Sequence, residues 1–171
     1  MNRGYNQIYT GNGKGKSTAA FGLAVRALGH DRNLCIIQFL KKDSEYGEFK
    51  MLSKVTEIMQ FGTGKFVDFE NPSNEDISCA TEGFSKAKEA VFSKKYDMVI
   101  LDEIAVAVSL NLITEEEVVD LMKNKPSEVE LILTGRGATQ KMIETADLVT
   151  EMKEVKHYFK KNVTAREGIE Y

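Results

Sequence analysis

The chain has 171 residues, one domain's worth, and at that size folding buries roughly 70% of the surface the unfolded chain exposes without the help of disulfides or metals. Hydrophobic residues at 42% and charged residues at 29% argue against a disordered, collagen-like or coiled-coil chain, and a formal net charge of -3 argues against a general nucleic-acid binder, which needs a global positive field. Two cysteines, Cys35 and Cys79, exclude a disulfide scaffold, and no Cys/His cluster has zinc-ligand spacing. The start, Met-Asn-Arg-Gly-Tyr-Asn, lacks an apolar signal region. The longest apolar stretch, Met98 to Leu110, is broken by Asp102 and Glu103 well short of a membrane span, so a cytoplasmic protein without membrane contact is expected.

Short apolar runs alternate with amphipathic segments, the signature of a parallel sheet covered by helices. In chain order, a strand is expected over Gln7–Thr10, then a helix over Lys16–Leu28 with Gly29 as a left-handed cap. Strands are expected next over Leu34–Leu40 and Glu57–Phe61. The stretch Phe61–Pro72, rich in glycine and aromatics but without periodicity, reads as a functional or mobile loop. Ser73-Asn-Glu-Asp76 is patterned as a capping box and opens a helix to about Lys94. A strand over Met98–Leu101 follows. A second box, Thr114-Glu-Glu-Glu117, opens a helix that must end before Pro126. Strands over Leu131–Thr134 and Leu148–Met152 complete the pattern, with no internal repeat and no domain boundary. The expected fold is α/β, with residues 1–171 forming a single parallel sheet flanked by helices.

Thr10-Gly-Asn-Gly-Lys-Gly-Lys-Ser-Thr18 stands between the first strand and the first helix, which is the context of a P-loop. Gly11, Gly13 and Gly15 let backbone N–H groups converge on phosphate oxygens, and the helix N-terminus adds its dipole. Lys16 supplies a point charge, and the Ser17 hydroxyl can reach a magnesium ion. The strict pattern has glycine where this chain has Thr10, so the match lies in the Gly-Lys-Ser end. Lys14 adds a second charge, which solvation alone also explains.

Tyr96-Asp-Met-Val-Ile-Leu-Asp-Glu103 is an apolar strand that presents two carboxylates at its C-terminal end, where ligands sit in open α/β sheets. Asp102 or Glu103 can hold magnesium directly or through water; alternatively, Asp102 merely caps the Ile104–Leu110 segment. Arg136, in Thr134-Gly-Arg136, reads as a phosphate partner or as an exposed turn residue. His30 reads as a capping or solvent histidine, and His157 as a structural or surface one.

Several blocks taken together have a family look: Thr10 to Gly22, Gln38-Phe39-Leu-Lys41, Gly47-Glu48, Leu101-Asp-Glu103, Leu133-Thr-Gly-Arg136, Ala146 to Glu151, Val155-Lys-His157 and Gly168-Ile-Glu-Tyr171. As an ordered set over nearly the whole chain they resemble the ATP:cob(I)alamin adenosyltransferases, P-loop enzymes of the RecA-like type. That resemblance implies transfer of the 5′-deoxyadenosyl group of ATP to the cobalt of cob(I)alamin or cob(I)inamide, with release of triphosphate, in adenosylcobalamin biosynthesis or corrinoid salvage. Cob(I)alamin is then the nucleophile at the ribose 5′-carbon, and no general base is required. The protein must orient that carbon and stabilise charge on the departing triphosphate.

The resemblance further implies Lys16 and Glu103 as catalytic residues. Gly11, Asn12, Gly13, Lys14, Gly15, Lys16, Ser17, Thr18 and Arg136 would contact ATP, and Ser17, Glu103 and Asp102 would supply the magnesium ligands. It also implies a homodimer, a flavoprotein reductant, and ATP lying reversed in the loop relative to hydrolytic P-loop enzymes. Two features depart from the family pattern. The family commonly carries an N-terminal helical arm, whereas this chain reaches its first strand almost at once. The family loop reads Gly-Thr-Gly-Phe-Thr-Trp where this chain has Gly62-Thr-Gly-Lys-Phe-Val67 and no tryptophan, leaving Phe66 or Phe69 as the aromatic cover for a corrinoid. Two rival readings are a RecA-like ATPase or small-molecule kinase, with Asp102 on the metal and Glu103 orienting water or a hydroxyl, and a nucleotide-binding module without corrinoid chemistry.

Overall fold

Strands that are apolar on both faces need cover on both sides, and the computed structural model, which describes residues 3–42 and 45–171, supplies it. Six strands form one all-parallel sheet: β1 Asn6–Thr10, β2 Leu34–Phe39, β3 Glu57–Phe61, β4 Met98–Asp102, β5 Glu130–Thr134 and β6 Leu148–Glu151. Alternation within β4 shows how the layers divide. Met98 and Ile100 join Ile36, Ile132 and the small face of α1 (Lys16–Leu28), Ala20 and Ala24. Val99 and Leu101 point the other way, into a larger core with Ile37, Leu131, Leu133 and residues of α3 (Asn74–Phe92), α4 (Ile104–Ser109) and α5 (Glu115–Asn124).

The strand order is β3-β2-β4-β5-β1-β6, so β5 lies between the P-loop strand β1 and the acidic strand β4, the RecA-like arrangement. Register aligns the carboxyl ends: Tyr9 stands beside Thr134, Leu133 beside Leu101, and Gln38 beside Asp102. One edge of the sheet thus gathers the phosphate loop, both carboxylates and Arg136.

Both capping boxes form. Ser73 and Asp76 bond reciprocally at the start of α3, as do Thr114 and Glu117 at the start of α5. Three six-residue helices, α2 (Gly47–Leu52), α4 and α6 (Gln140–Thr145), were not anticipated from periodicity.

Gly29 does not adopt the left-handed conformation expected of it. With φ -64° it continues the helical turn, because its N–H, that of His30 and that of Asp31 still bond back to carbonyls of α1; Asp31, at φ 55°, takes the left-handed position. Leu40 and Met152 fall just outside their strands. His30 is exposed, and His157 is half-buried and accepts a hydrogen bond from the Phe159 N–H, capping a short 3-10 turn over Tyr158–Lys161. No helix among the described residues is long and apolar enough to cross a membrane.

Candidate active site

The phosphate loop is shaped by its glycines and by the end of β6. Gly11 and Gly15 have φ of 97° and 120°, a region that disfavours any side chain. Gly13 is needed for closeness. Its N–H donates to the Met152 carbonyl at 2.6 Å, and a Cβ there would stand 2.7 Å from the same oxygen. Of the three glycines expected to aim N–H groups at phosphate, Gly13 therefore has its own N–H engaged and instead seats the loop on the chain that follows β6.

Helix α1 starts at Lys16 with no side-chain cap and no acidic residue in its first turn, so its dipole is left for an anion. The buried Lys16 ammonium donates to the Gly13 carbonyl at 2.8 Å, inside the loop. Burial pushes its pKa down, aided by Arg136 and opposed by Glu103. Ser17 is half-buried beside it, and Asn12 and Thr18 are exposed on the rim.

Asp102 is fully buried and heavily engaged. It accepts from Lys41 Nζ at 2.9 Å, Gln38 Nε2 at 3.1 Å and Thr134 Oγ1 at 2.8 Å, and from the Ser17 hydroxyl. Burial alone would push its carboxyl up, but the Lys41 charge and these hydrogen bonds hold it below the usual carboxylate range. The capping alternative for Asp102 fails, because the residue before α4 is Glu103, in a left-handed conformation (φ 63°) and with no side-chain cap. That turn is fixed by the Glu103 N–H donating to Thr134 Oγ1 at 3.0 Å. The Glu103 carboxylate makes no hydrogen bond or ion pair within 4 Å among the described residues. Burial and then the neighbouring Asp102 charge push its pKa up, against Lys41, Lys16 and Arg136.

Two clefts open on this edge. One, about 630 Å³, runs from the phosphate loop along α1 to α2. The other, about 430 Å³, lies between the aromatic loop, where Phe66 is 99% exposed and Phe69 also lines the wall, and Arg136. Lys41, Tyr46 and Glu103 line both. Arg136 is exposed and lines the second cleft, not the first, and its charge acts on both Glu103 and Lys16.

Lys14 lines the first cleft and is exposed there. Its ammonium bonds Glu170 at 2.6 Å, the Tyr158 hydroxyl at 3.0 Å and the Ile169 carbonyl at 3.0 Å, and so ties the C-terminal segment to the loop. Glu170 in turn bonds Tyr158 and Arg166. Residues Gly168 to Tyr171 form part of the first cleft's wall. Sequence reasoning assigned no role to Lys41, Tyr46 or Glu170, although Gln38-Phe39-Leu-Lys41 and the chain's last four residues were among the blocks carrying the family resemblance.

Residues 2–171 match the family model described as ATP:corrinoid adenosyltransferase BtuR/CobO/CobP. The chain belongs to that family. A corrinoid adenosyltransferase of Escherichia coli K12 is 38% identical over 170 residues, covering 99% of this chain and 86% of its own length. Corrinoid adenosyltransferase CobA of Salmonella typhimurium LT2 is 36% identical with the same coverages, and a corrinoid adenosyltransferase of Sinorhizobium sp. is 38% identical over 96% of this chain and 78% of its own. In this adenosyltransferase-family chain the similarity spans both clefts and the C-terminal segment tied to Lys14.

Proposed function

We propose that this single domain is an enzyme that transfers the 5′-deoxyadenosyl group of ATP to the cobalt of a reduced corrinoid and releases triphosphate. The observation that carries the reading is the pair of clefts sharing Lys41, Tyr46 and Glu103: one is floored by a phosphate loop, the other walled by exposed aromatics suited to a flat ring system. Triphosphate rests on Lys16, Ser17 and the N-terminus of α1, with Gly11, Asn12, Gly15 and Thr18 around it. The 5′-carbon then faces the shared wall, where cobalt approaches from the other side. This fits ATP lying reversed in the loop. Transfer to carbon needs no base, and the buried Lys16 and the N-terminus of α1, which has no side-chain cap, act on phosphate charge.

Magnesium suits the residues present. The Ser17 hydroxyl and the Glu103 carboxylate, which has no hydrogen-bond partner among the described residues, are hard oxygen donors, and this ion takes one or two carboxylates together with phosphates. Bound there, it would neutralise triphosphate charge. Asp102 is committed to Lys41, Gln38 and Thr134, which leaves Glu103 as the carboxylate for the ion. The same reading takes the chain to be a cytoplasmic homodimer whose corrinoid is reduced to the cobalt(I) state by a flavoprotein. Lys16→Ala tests the phosphate assignment: adenosylation is expected to fall by about 10²–10³, as when a charge-stabilising group is removed. Activity within a few fold of the parent enzyme would refute the role of Lys16.

A further inference from the structure

Lys41 is held with unusual care. It follows Leu40, whose φ of 60° is costly for a side-chain-bearing residue, and the Leu40 N–H is fixed to the Phe61 carbonyl at 2.8 Å. Gly62 closes over this turn: a Cβ there would stand 2.6 Å from the Lys41 nitrogen and 2.7 Å from the Leu40 carbonyl carbon. The side chain, 17% exposed, reaches Asp102 Oδ2 at 2.9 Å, with the rings of Tyr46 and Phe21 at 5.4 and 5.9 Å from its nitrogen. Stability alone does not account for it. Buried ion pairs rarely outperform a neutral pair of similar shape, and Asp102 already accepts from Gln38, Thr134 and Ser17. Among the three residues lining both clefts, Lys41 is the cation.

We infer that Lys41 is a catalytic residue of the adenosyl transfer, its ammonium positioned by Asp102 to meet the oxygen that departs from the 5′-carbon. The inference rests on the transfer reading given above. The electron pair of cobalt(I) forms the cobalt–carbon bond as the C5′–O5′ bond breaks, and the pair of that bond goes to O5′. Cobalt rises to the +3 state, no proton moves, and triphosphate leaves with one more negative charge than it carried as an ester. That charge develops at the end of the triphosphate joined to C5′, where the clefts meet. The phosphate loop holds triphosphate before and after the step, so a cation at the seam is the group whose interaction grows in the transition state. Substitution there should therefore act on kcat.

The test uses the full chain with ATP, magnesium and chemically prepared cob(I)alamin. Lys41→Gln is expected to lower kcat by about 10²–10³, while ATP affinity without corrinoid and the corrinoid KM stay within about threefold. Lys41→Arg, which keeps the charge, is expected to recover at least about tenfold of the lost rate. A parental kcat in Lys41→Gln, or a loss confined to ATP binding, overturns the proposal. If Lys41→Gln does not fold, Lys41→Gln/Asp102→Asn removes both charges of the pair. That double variant stays slow if Lys41 supplies the cation, and returns to the parental rate if Lys41 only neutralises Asp102. Failure of the parent enzyme itself to release triphosphate would instead overturn the transfer reading.

Discussion

Replacing Gly13 with alanine puts a methyl group 2.7 Å from the Met152 carbonyl oxygen and 2.9 Å from the carbonyl of Lys153, all backbone atoms with no flexible end to swing aside. The loop and the chain after β6 must separate, which stretches the 2.6 Å bond from the Gly13 N–H to Met152 and strains the neighbouring 2.7 Å bond from the Met152 N–H to Thr10. Overpacking of this kind costs about 1–3 kcal/mol, and loss of one net hydrogen bond about 1 kcal/mol. A sum of about 2–4 kcal/mol corresponds to a fall in Tm of roughly 5–15 °C in a domain of this size. Thermal unfolding of Gly13→Ala beside Asn12→Ala, an exposed neighbour, measures it, and amide exchange at Met152 should accelerate in the glycine variant alone. A Tm within about 2 °C of the parent would refute the packing role assigned to Gly13.

Glu103→Gln should shift the magnesium dependence of adenosylation to higher concentration without lowering Tm, because among the described residues the carboxylate makes no hydrogen bond or ion pair, and burial followed by the Asp102 charge disfavours its ionised form; an unchanged titration would move the metal role away from Glu103. Phe66→Ala should raise the corrinoid KM or lower turnover with ATP affinity unaltered, and Phe69→Ala is its comparison on the same cleft. If neither changes adenosylation with cob(II)alamin plus reductant or with cob(I)alamin, the loop does not cover the corrinoid. Glu170→Gln should loosen the C-terminal segment, read as faster proteolysis and amide exchange over residues 158–171, since Glu170 joins Lys14, Tyr158 and Arg166. Unchanged exchange would show that the segment is held by something other than this cluster.

The sheet was legible because several of its strands carry continuous apolar runs, such as residues 34–37 and 98–101, and two of the helices announce themselves with capping boxes. α2, α4 and α6 were not, since six residues span fewer than two turns and show no period. The phosphate loop and the Asp102-Glu103 pair could be read from local spacing. What separated the two carboxylates could not: Asp102 meets Lys41 across 61 residues and Thr134 across 32, contacts created by the strand order. The same applies to Lys14, whose partner Glu170 lies 156 residues away. Gly29 was misassigned because glycine after a helix commonly turns left-handed, whereas here the turn continues to Asp31.

The identity of the phosphate product tests adenosyl transfer most directly. With the purified chain, ATP, magnesium and chemically reduced cobalamin, phosphorus NMR should show triphosphate formed in a one-to-one ratio with adenosylcobalamin, and no product without the corrinoid. Orthophosphate, or nucleotide turnover independent of the corrinoid, would contradict transfer at the seam of the two clefts and point to hydrolysis on the phosphate loop.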